Sequence, residues 1–169
     1  MGIQGHSFGG YETNYLVTRT GMFAAAASAA GPTDLVSISG EAELGVGSMQ
    51  SFVESNQLRM RVPLWQNEAG YIRNSPVFAL DKITTPLLIM HCKNDSRVPW
   101  QQALEMFIGL RRLGKSVYLL QYDNGGHDVD GSSAIDYTIK LAQFFDHYLK
   151  SAPAPKWMSE GIPTAEGNR

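Results

Sequence analysis

The sequence predicts an α/β fold in which a mostly parallel sheet is flanked by helices. Two apolar runs bounded by turn residues, Pro86–His91 and Ser116–Tyr122, are typical of buried parallel strands. A run of small apolar residues, Met22–Ala30, suits a central strand with close neighbours. Apolar residues at helical spacing predict helices over Gln101–Leu113 and Ala134–Lys150. Strands that alternate with helices favour a parallel sheet over an antiparallel one.

The composition is that of one globular domain. The chain has 169 residues, of which 43% are hydrophobic and 18% charged, and this is enough for a sizeable core. A net charge of −2 gives no basis for binding nucleic acid or an anionic membrane surface. No apolar run is long enough to span a bilayer. The single cysteine, Cys92, excludes an internal disulfide.

The strongest chemical signal is the segment Gly5–Gly9, whose sequence GHSFG matches the pattern G-x-S-x-G. In this pattern a strand leads into a sharp turn that exposes a nucleophilic serine, here Ser7. Residues two before and two after the serine come close to neighbouring backbone, which favours glycine at both positions. The segment therefore predicts a nucleophile at the end of a strand formed by residues 1–4.

A helix is predicted directly after this turn, over Tyr11–Thr20, with Tyr11, Tyr15 and Leu16 on one face. The N-terminus of such a helix directs backbone N–H groups towards the serine. We expect the N–H of Phe8 to be one donor of an oxyanion hole.

A nucleophilic serine needs a base, and the base needs an acid that orients it. On an α/β-hydrolase fold, the acid and then the histidine follow the serine in the chain. Asp95 follows the first predicted apolar strand, and His127 lies in a glycine-containing loop after the second. The other acids near this histidine are interpreted as solvated loop residues: Asp123, Asp128 and Asp130. The sequence thus predicts Ser7, Asp95 and His127 as a triad on an α/β-hydrolase fold. Taken singly, Asp95 could instead be a turn former and His127 an ordinary loop histidine.

The remaining histidines are given no role. His6 lies inside the turn, with its side chain expected to point away from the serine hydroxyl. His91 ends a buried strand, and His147 lies in the last predicted helix.

Three segments together resemble the catalytic domain of the prolyl oligopeptidase family of serine peptidases, which includes dipeptidyl-peptidase and acylaminoacyl-peptidase members. They are GHSFGGYETNYLVTRT, NSPVFALDKITTPLLIMHCKNDSRVPWQQALEMFIGLRRLGKSVYLLQY and GGH. The tail PAPKWMSEGIP resembles bacterial members. The resemblance implies Ser7 as nucleophile, Asp95 as orienting acid and His127 as general base, with oligopeptide substrates and neither a metal nor a cofactor.

The resemblance also implies substrate contacts. Arg97 falls where relatives place an Arg or Asn that hydrogen-bonds a substrate carbonyl; the alternative is an ordinary surface arginine. Phe8 and Val98 fall where relatives line the pocket for the residue before the scissile bond; the alternative is core packing. The segment Thr33–Ser39 lacks the aromatic residues that proline-specific relatives carry there, which argues against strict proline specificity. The irregular stretch over Asp34–Val62 lies where such enzymes build part of the pocket.

The resemblance further implies that residues 1–150 form the last part of a catalytic domain whose upstream strands are absent, and that residues 151–169 form an extended C-terminal tail. The strand before Ser7 would then be a bare sheet edge, through which the chain could self-associate. The second oxyanion donor, which relatives supply from upstream, would be absent too, so we expect this chain alone to be poorly active. With the native N-terminus expected to be absent, the compartment stays open between bacterial cytoplasm and periplasm.

Three hypotheses for the function follow. The first is the catalytic part of a serine peptidase that works through an acyl-enzyme intermediate. The second is a serine esterase or other acyl hydrolase with the same triad. The third is a non-catalytic chain that serves as an oligomerising or binding domain. The presence of Ser7, Asp95 and His127 argues against the third.

Overall fold

A computed structural model of the chain describes residues 1–43 and 47–161. Within them, four strands form one sheet, and all three strand pairings are parallel; the spatial order is Gly2–His6, Ala25–Ala29, Leu87–Cys92 and Val117–Tyr122. The predicted α/β fold with flanking helices is confirmed. The strands are β1 (Gly2–His6), β2 (Ala25–Ala29), β3 (Ala42–Glu43), β4 (Gly47–Ser48), β5 (Leu87–Cys92) and β6 (Val117–Tyr122), of which β3 and β4 form a separate antiparallel pair. The helices are α1 (Phe8–Val17), α2 (Leu35–Ile38), α3 (Gln50–Glu54), α4 (Glu68–Asn74), α5 (Gln101–Arg112), α6 (Gly131–Lys150) and α7 (Lys156–Ser159), with 3₁₀ turns over Leu64–Gln66 and Pro76–Lys82.

The strand register brings the carboxyl ends of the strands together along one end of the sheet, called the carboxyl edge below. His6 at the end of β1 pairs with Ala29 at the end of β2, and Ala29 pairs in turn with Met90. The last residues of β5 and β6, Cys92 and Tyr122, pair with each other. Loops that follow β1, β5 and β6 therefore meet at this edge, which is where open α/β sheets place functional groups.

The sheet has an apolar layer on each face. Alternate residues of a strand point to opposite faces, so the buried strand residues divide between two clusters. The cluster shared with α1 and α5 contains Val17, Ala26, Leu87, Ile89, Met106, Leu110 and Val117. The cluster shared with α6 contains Ala25, Ala27, Ala29, Leu88, Met90, Leu120 and Phe144.

Helix α1 packs unusually close to β2, because both elements carry small residues. All five residues of β2 are buried, and four of them are alanine. A Cβ atom on Gly10 would lie 2.7 Å from the carbonyl oxygen of Ala29 and 2.8 Å from Cα of Gly31. Ser28 Oγ donates a hydrogen bond of 3.1 Å to the carbonyl of Gly10 at the same crossing.

Tyr11, Tyr15 and Leu16 share one face of α1, as their spacing predicts, but this is not the face that packs on the sheet. The buried residues of this helix are Gly10, Thr13, Asn14 and Val17. Leu16 is exposed, whereas Tyr11 and Tyr15 are half-buried. The helix therefore packs on the sheet through a small and partly polar face.

The C-terminal segment differs from the predicted extended tail. Ser151 ends α6 in a left-handed conformation, and α7 then forms a further turn of helix. Trp157 packs edge-on against Tyr118 at a centroid distance of 5.8 Å, and its Nε1 donates to Gln143 Oε1 over 2.8 Å. The rest of the predicted tail, residues 162–169, lies outside the described residues. Across the two described ranges, no helix has the length and apolar character needed to cross a membrane.

Candidate active site

Ser7 lies at the turn between β1 and α1 in a strained backbone conformation. Its φ of 57° and ψ of −118° are unusual for a residue with a side chain. The turn is fixed to the sheet because the N–H of Ser7 donates to the carbonyl of Ala29 over 2.8 Å. Such a turn exposes the serine side chain beyond the end of its strand, as the G-x-S-x-G pattern requires.

The glycines around Ser7 have different roles. A Cβ atom on Gly5 would collide with the carbonyl group of Gly9, so the turn requires glycine at position 5. A Cβ atom on Gly9 itself would meet no described atom within 4 Å. The close approach on the helix side instead falls on Gly10, which packs on β2. The backbone of Gly9 does come close to Gly5, as expected, but a side chain at position 9 would have room, so the expectation that this contact favours glycine there is wrong.

The side chains of Ser7, His127 and Asp95 form a continuous hydrogen-bonded path. His127 Nδ1 lies 2.9 Å from Asp95 Oδ2 and 3.1 Å from Oδ1, and its Nε2 lies 2.7 Å from Ser7 Oγ. An ionised carboxylate can only accept hydrogen bonds, so Nδ1 carries the proton and donates to Asp95. In the neutral imidazole, Nε2 is then an acceptor and Ser7 Oγ–H donates to it. This is the arrangement in which a histidine can remove the serine proton.

Asp95 is buried and has several N–H donors around it. Burial raises the pKa of Asp95, but hydrogen bonds from His127, from His91 and from the backbone amides of Val98 and Arg97 outweigh burial and hold this pKa well below its usual range. The two amides donate to Oδ1 over 2.8 Å from Arg97 and 3.0 Å from Val98. The carboxylate is therefore ionised at neutral pH and held in one orientation.

His127 is positioned by contacts of its loop. The carbonyl of His127 accepts a hydrogen bond of 2.9 Å from Nε2 of His6, and the two rings lie 4.9 Å apart. Asn94 Nδ2 donates to the carbonyl of Asp123 over 2.8 Å, which ties the loop after β6 to the loop after β5. Gly125 adopts a φ of +108°, which glycine tolerates and other residues rarely adopt. These contacts place the His127 ring over Ser7 with 10% of its side chain exposed.

A cavity of about 470 Å³ opens beside Ser7 and His127. Its other lining residues are Gly47, Ser48, Met49, Ser51, Phe52, Asn56, Gln57, Arg97 and Val98. Most of these come from β4, α3 and the turn after α3, within the irregular stretch expected to build part of a pocket. Among the residues that the structure describes, this lining contains one cation, Arg97, and no carboxylate.

The predicted substrate-contact residues are placed differently from one another. Arg97 is exposed and lines the cavity. Val98 also lines it but is 3% exposed, so this side chain packs in the protein as well. Phe8 does not line the cavity, and its ring lies 5.7 Å from that of Tyr11. The N–H of Phe8 is the first of α1 and so has no partner within the helix, which leaves it available to an oxyanion.

Sequence reasoning missed two histidines and part of the pocket wall. His6 holds the backbone of His127, and His91 contacts Asp95. A single sequence carries no signal for either interaction, because both depend on how the loops after β5 and β6 fold over the carboxyl ends of the strands. Met49 and Phe52, which give the cavity its apolar side, had a weak signal as large apolar residues in a stretch rich in Gly and Ser.

The fold and this constellation define an α/β protein with a serine–histidine–aspartate site at the carboxyl edge of its sheet. A profile of the prolyl oligopeptidase family matches residues 1–152, and the chain belongs to that family.

Individual proteins agree with this assignment. The chain is 29% identical over 153 residues to the uncharacterized peptidase YuxL of Bacillus subtilis, a match that covers 88% of this chain and 22% of that protein. It is 26% identical over 131 residues to dipeptidyl peptidase family member 6 of Caenorhabditis elegans, covering 76% of this chain and 17% of the relative. The acylaminoacyl peptidase of Pyrococcus horikoshii is similar in structure, with a TM-score of 0.80 and 28% identity over 94% of this chain and 25% of that one. The chain therefore spans a quarter or less of each of these proteins.

Proposed function

We propose that this chain provides the catalytic residues of a serine peptidase that hydrolyses peptide bonds of oligopeptides through an acyl-enzyme intermediate. The observation that carries the proposal is the hydrogen-bonded path from Ser7 through His127 to Asp95 at the carboxyl edge of the sheet. Family membership supports a peptide as substrate, and so do the acylaminoacyl peptidase and dipeptidyl peptidase among the similar proteins.

The geometry fits a two-stage reaction. Ser7 Oγ attacks the carbonyl carbon of the scissile bond while its proton passes to Nε2 of His127. The C–N bond then breaks as His127 returns this proton to the leaving amine, and the acyl group stays on Ser7. Water then attacks the acyl-enzyme while its proton passes to His127. The acyl–oxygen bond breaks as His127 returns this proton to Ser7 Oγ, and the acid is released. Asp95 stabilises the positively charged imidazole in both stages.

The developing oxyanion is bound on the helix side of the turn. The N–H of Phe8, at the positive end of α1, supplies one donor from this chain. The loss of one oxyanion donor typically costs about a hundred- to a thousandfold in rate. The family resemblance implies that the second donor comes from an upstream segment. We therefore infer that this chain alone reacts slowly and that a longer polypeptide supplies the second donor.

The cavity suggests how a substrate is held. Arg97 is a cation in the described part of its lining and can donate to a backbone carbonyl of the substrate. Met49, Phe52 and Val98 form an apolar surface that suits an uncharged side chain next to the scissile bond. We assign these residues, and not the ring of Phe8, to substrate contact.

We also propose that this chain forms part of a larger structure. We infer that residues 1–150 form the C-terminal part of the catalytic domain, because the chain spans only 25% of the acylaminoacyl peptidase of known structure. Within the described residues β1 pairs only with β2, so its other edge can accept a further strand. That strand can come from a longer polypeptide or from a second copy of this chain.

The test compares this chain with the longest natural polypeptide that contains it. In the longer protein we expect hydrolysis of aminoacyl-p-nitroanilides, with kcat reduced roughly 10⁴-fold or more by Ser7→Ala. A panel of p-nitrophenyl esters run beside the anilides separates a peptidase from an esterase, since an esterase would cleave the esters alone. Full activity of the Ser7→Ala variant would exclude this mechanism, and cleavage of neither substrate class would favour a non-catalytic role.

A further inference from the structure

The carboxylate of Asp95 lies between two histidines, only one of which faces Ser7. The second, His91, is the penultimate residue of β5 and is fully buried. Its Nε2 lies 3.2 Å from Asp95 Oδ2 and 2.9 Å from the carbonyl oxygen of Val98. The Val98 carbonyl can only accept a hydrogen bond, so Nε2 carries the proton and donates it to this carbonyl. Oδ2 of Asp95 lies beside the same N–H as a charge contact.

The two oxygens of the Asp95 carboxylate have different partners. Oδ1 accepts from the backbone amides of Arg97 and Val98. Oδ2 has no backbone donor among the described residues, and the side chain of His91 takes this place. Without His91, only His127 would hold Oδ2, and the carboxylate could rotate about its Cβ–Cγ bond.

The same ring holds the turn that contains the acid. His91 belongs to the central part of the sheet, whereas Asp95 and Val98 belong to the loop after β5. The Nε2–H of His91 thus bonds the backbone of this loop to the strand and also lies against the carboxylate of Asp95. His91 is absent from the lining of the cavity beside Ser7, so it acts through Asp95 and not on a bound substrate.

We propose that His91 is a positioning residue that fixes the rotation of the Asp95 carboxylate and thereby the orientation of His127 towards Ser7. This inference rests on the proposed hydrolytic function of the site. The alternative is that His91 only packs in the core. In that case phenylalanine, which has a similar shape, would leave kcat unchanged.

Three substitutions in the natural full-length protein separate positioning from packing. Glutamine places an amide nitrogen near the Nε2 position of histidine, asparagine is too short to do so, and phenylalanine keeps the ring without a donor. We expect His91→Phe and His91→Asn to lower kcat roughly tenfold or more with little change in KM, and His91→Gln to recover most of the loss. Equal kcat in His91→Gln and His91→Asn, or wild-type kcat in His91→Phe, would overturn the proposal.

A double-mutant cycle with Asp95 tests the route of the effect. Labelling of Ser7 by a fluorophosphonate reports serine reactivity without a peptide substrate. If His91 acts through Asp95, His91→Asn slows labelling in the wild-type background and has no further effect in Asp95→Ala. An equal slowing in both backgrounds would show that the histidine acts elsewhere.

Nuclear magnetic resonance of ¹⁵N-histidine-labelled protein decides the proposal even if the site proves to hydrolyse nothing. We expect His91 to carry its proton on Nε2, and the low-field Nδ1 proton of His127 to shift in His91→Asn but to persist in His91→Gln. A His127 signal that is the same in all variants would refute positioning. Failure of the proposed function would instead appear as absence of both hydrolysis and fluorophosphonate labelling in the wild type.

Discussion

At the residue scale, the turn around Ser7 depends on which glycine faces a neighbouring backbone. A methyl group on Gly10 would enter the crossing of α1 and β2, whereas one on Gly9 meets no described atom within 4 Å. We expect Gly10→Ala to lower the free energy of unfolding by about 1–3 kcal/mol through overpacking. Gly9→Ala is the matched control and should be neutral or stabilising by up to about 1 kcal/mol, because alanine favours helix. Urea denaturation of both variants measures the difference, and equal losses would contradict the assigned packing.

Asp95 provides a second prediction at this scale, the pH dependence of folding. Burial raises the pKa of Asp95, but the hydrogen bonds that its carboxylate accepts lower this pKa by a larger amount. The folded pKa therefore lies below the ordinary value of 3.8. A depressed folded pKa stabilises the native state above the unfolded pKa, and this contribution is lost as the pH falls towards the folded pKa. The difference in unfolding free energy between wild type and Asp95→Asn should therefore be largest near neutral pH and shrink below about pH 4.

Urea denaturation between pH 7 and pH 3 measures this difference. The exposed Asp81 is the control, and Asp81→Asn should keep the pH dependence of the wild type. A wild-type pH dependence in Asp95→Asn as well would show that the hydrogen bonds to Asp95 do not favour its ionised form.

The chemistry of the site was more predictable from sequence than its supporting contacts. Ser7, Asp95 and His127 follow in the order that an α/β-hydrolase sheet requires, and each comes just after a strand. The structure brings their side chains within hydrogen-bonding distance. The contacts of His6 and His91 join backbone carbonyls to rings across the sheet edge, and such partners depend on loop paths that residue patterns do not encode.

At the element scale, the sequence predicts the existence of elements better than the face that each one buries. The strands β2, β5 and β6 lie within or beside the predicted runs because their apolar residues are continuous. The buried face of α1 could not be found from apolar spacing. Alanines in β2 let the helix backbone approach, so small residues such as Gly10 and Thr13 pack there. Tertiary packing overrides periodicity in this helix.

The attachment of α5 to the loop after β2 gives a third prediction. Gln102 is 1% exposed, and its Oε1 accepts from the backbone amides of Thr33 and Asp34 while its Nε2 donates to Ser37 Oγ. Gln102→Leu would leave buried amides without an acceptor, and we expect a loss of about 2–4 kcal/mol in unfolding free energy. The neighbouring Gln101 is exposed, and Gln101→Leu should change stability by less than about 0.5 kcal/mol. Similar denaturation midpoints for the two variants would show that the buried amide bonds do not stabilise the loop after β2.

At the scale of the whole molecule, β1 has one free edge within the described residues. The N–H of Ser7 points to Ala29 of β2, and successive residues of a strand alternate, so the N–H groups of Gln4 and His6 point away from β2. The half-exposed surface of Tyr11, Tyr15 and Leu16 lies on the same side, beside Ile3 and Gln4. An edge with free N–H groups next to apolar side chains is a template for pairing with another strand.

We expect the 169-residue chain on its own to self-associate through this edge, as a concentration-dependent mass in light scattering. The N–H of Gln4 points away from β2, so Gln4→Pro removes this outward donor without removing a bond to β2. Proline is also tolerated on an edge strand. This variant should shift the chain towards monomer, whereas Gln4→Ala keeps the N–H and should associate like the wild type. In a longer natural polypeptide, a strand from upstream would occupy the edge, so the same proline should there lower stability and leave the mass unchanged. A monomeric wild-type chain, or association that Gln4→Pro does not weaken, would show that β1 does not act as a pairing edge.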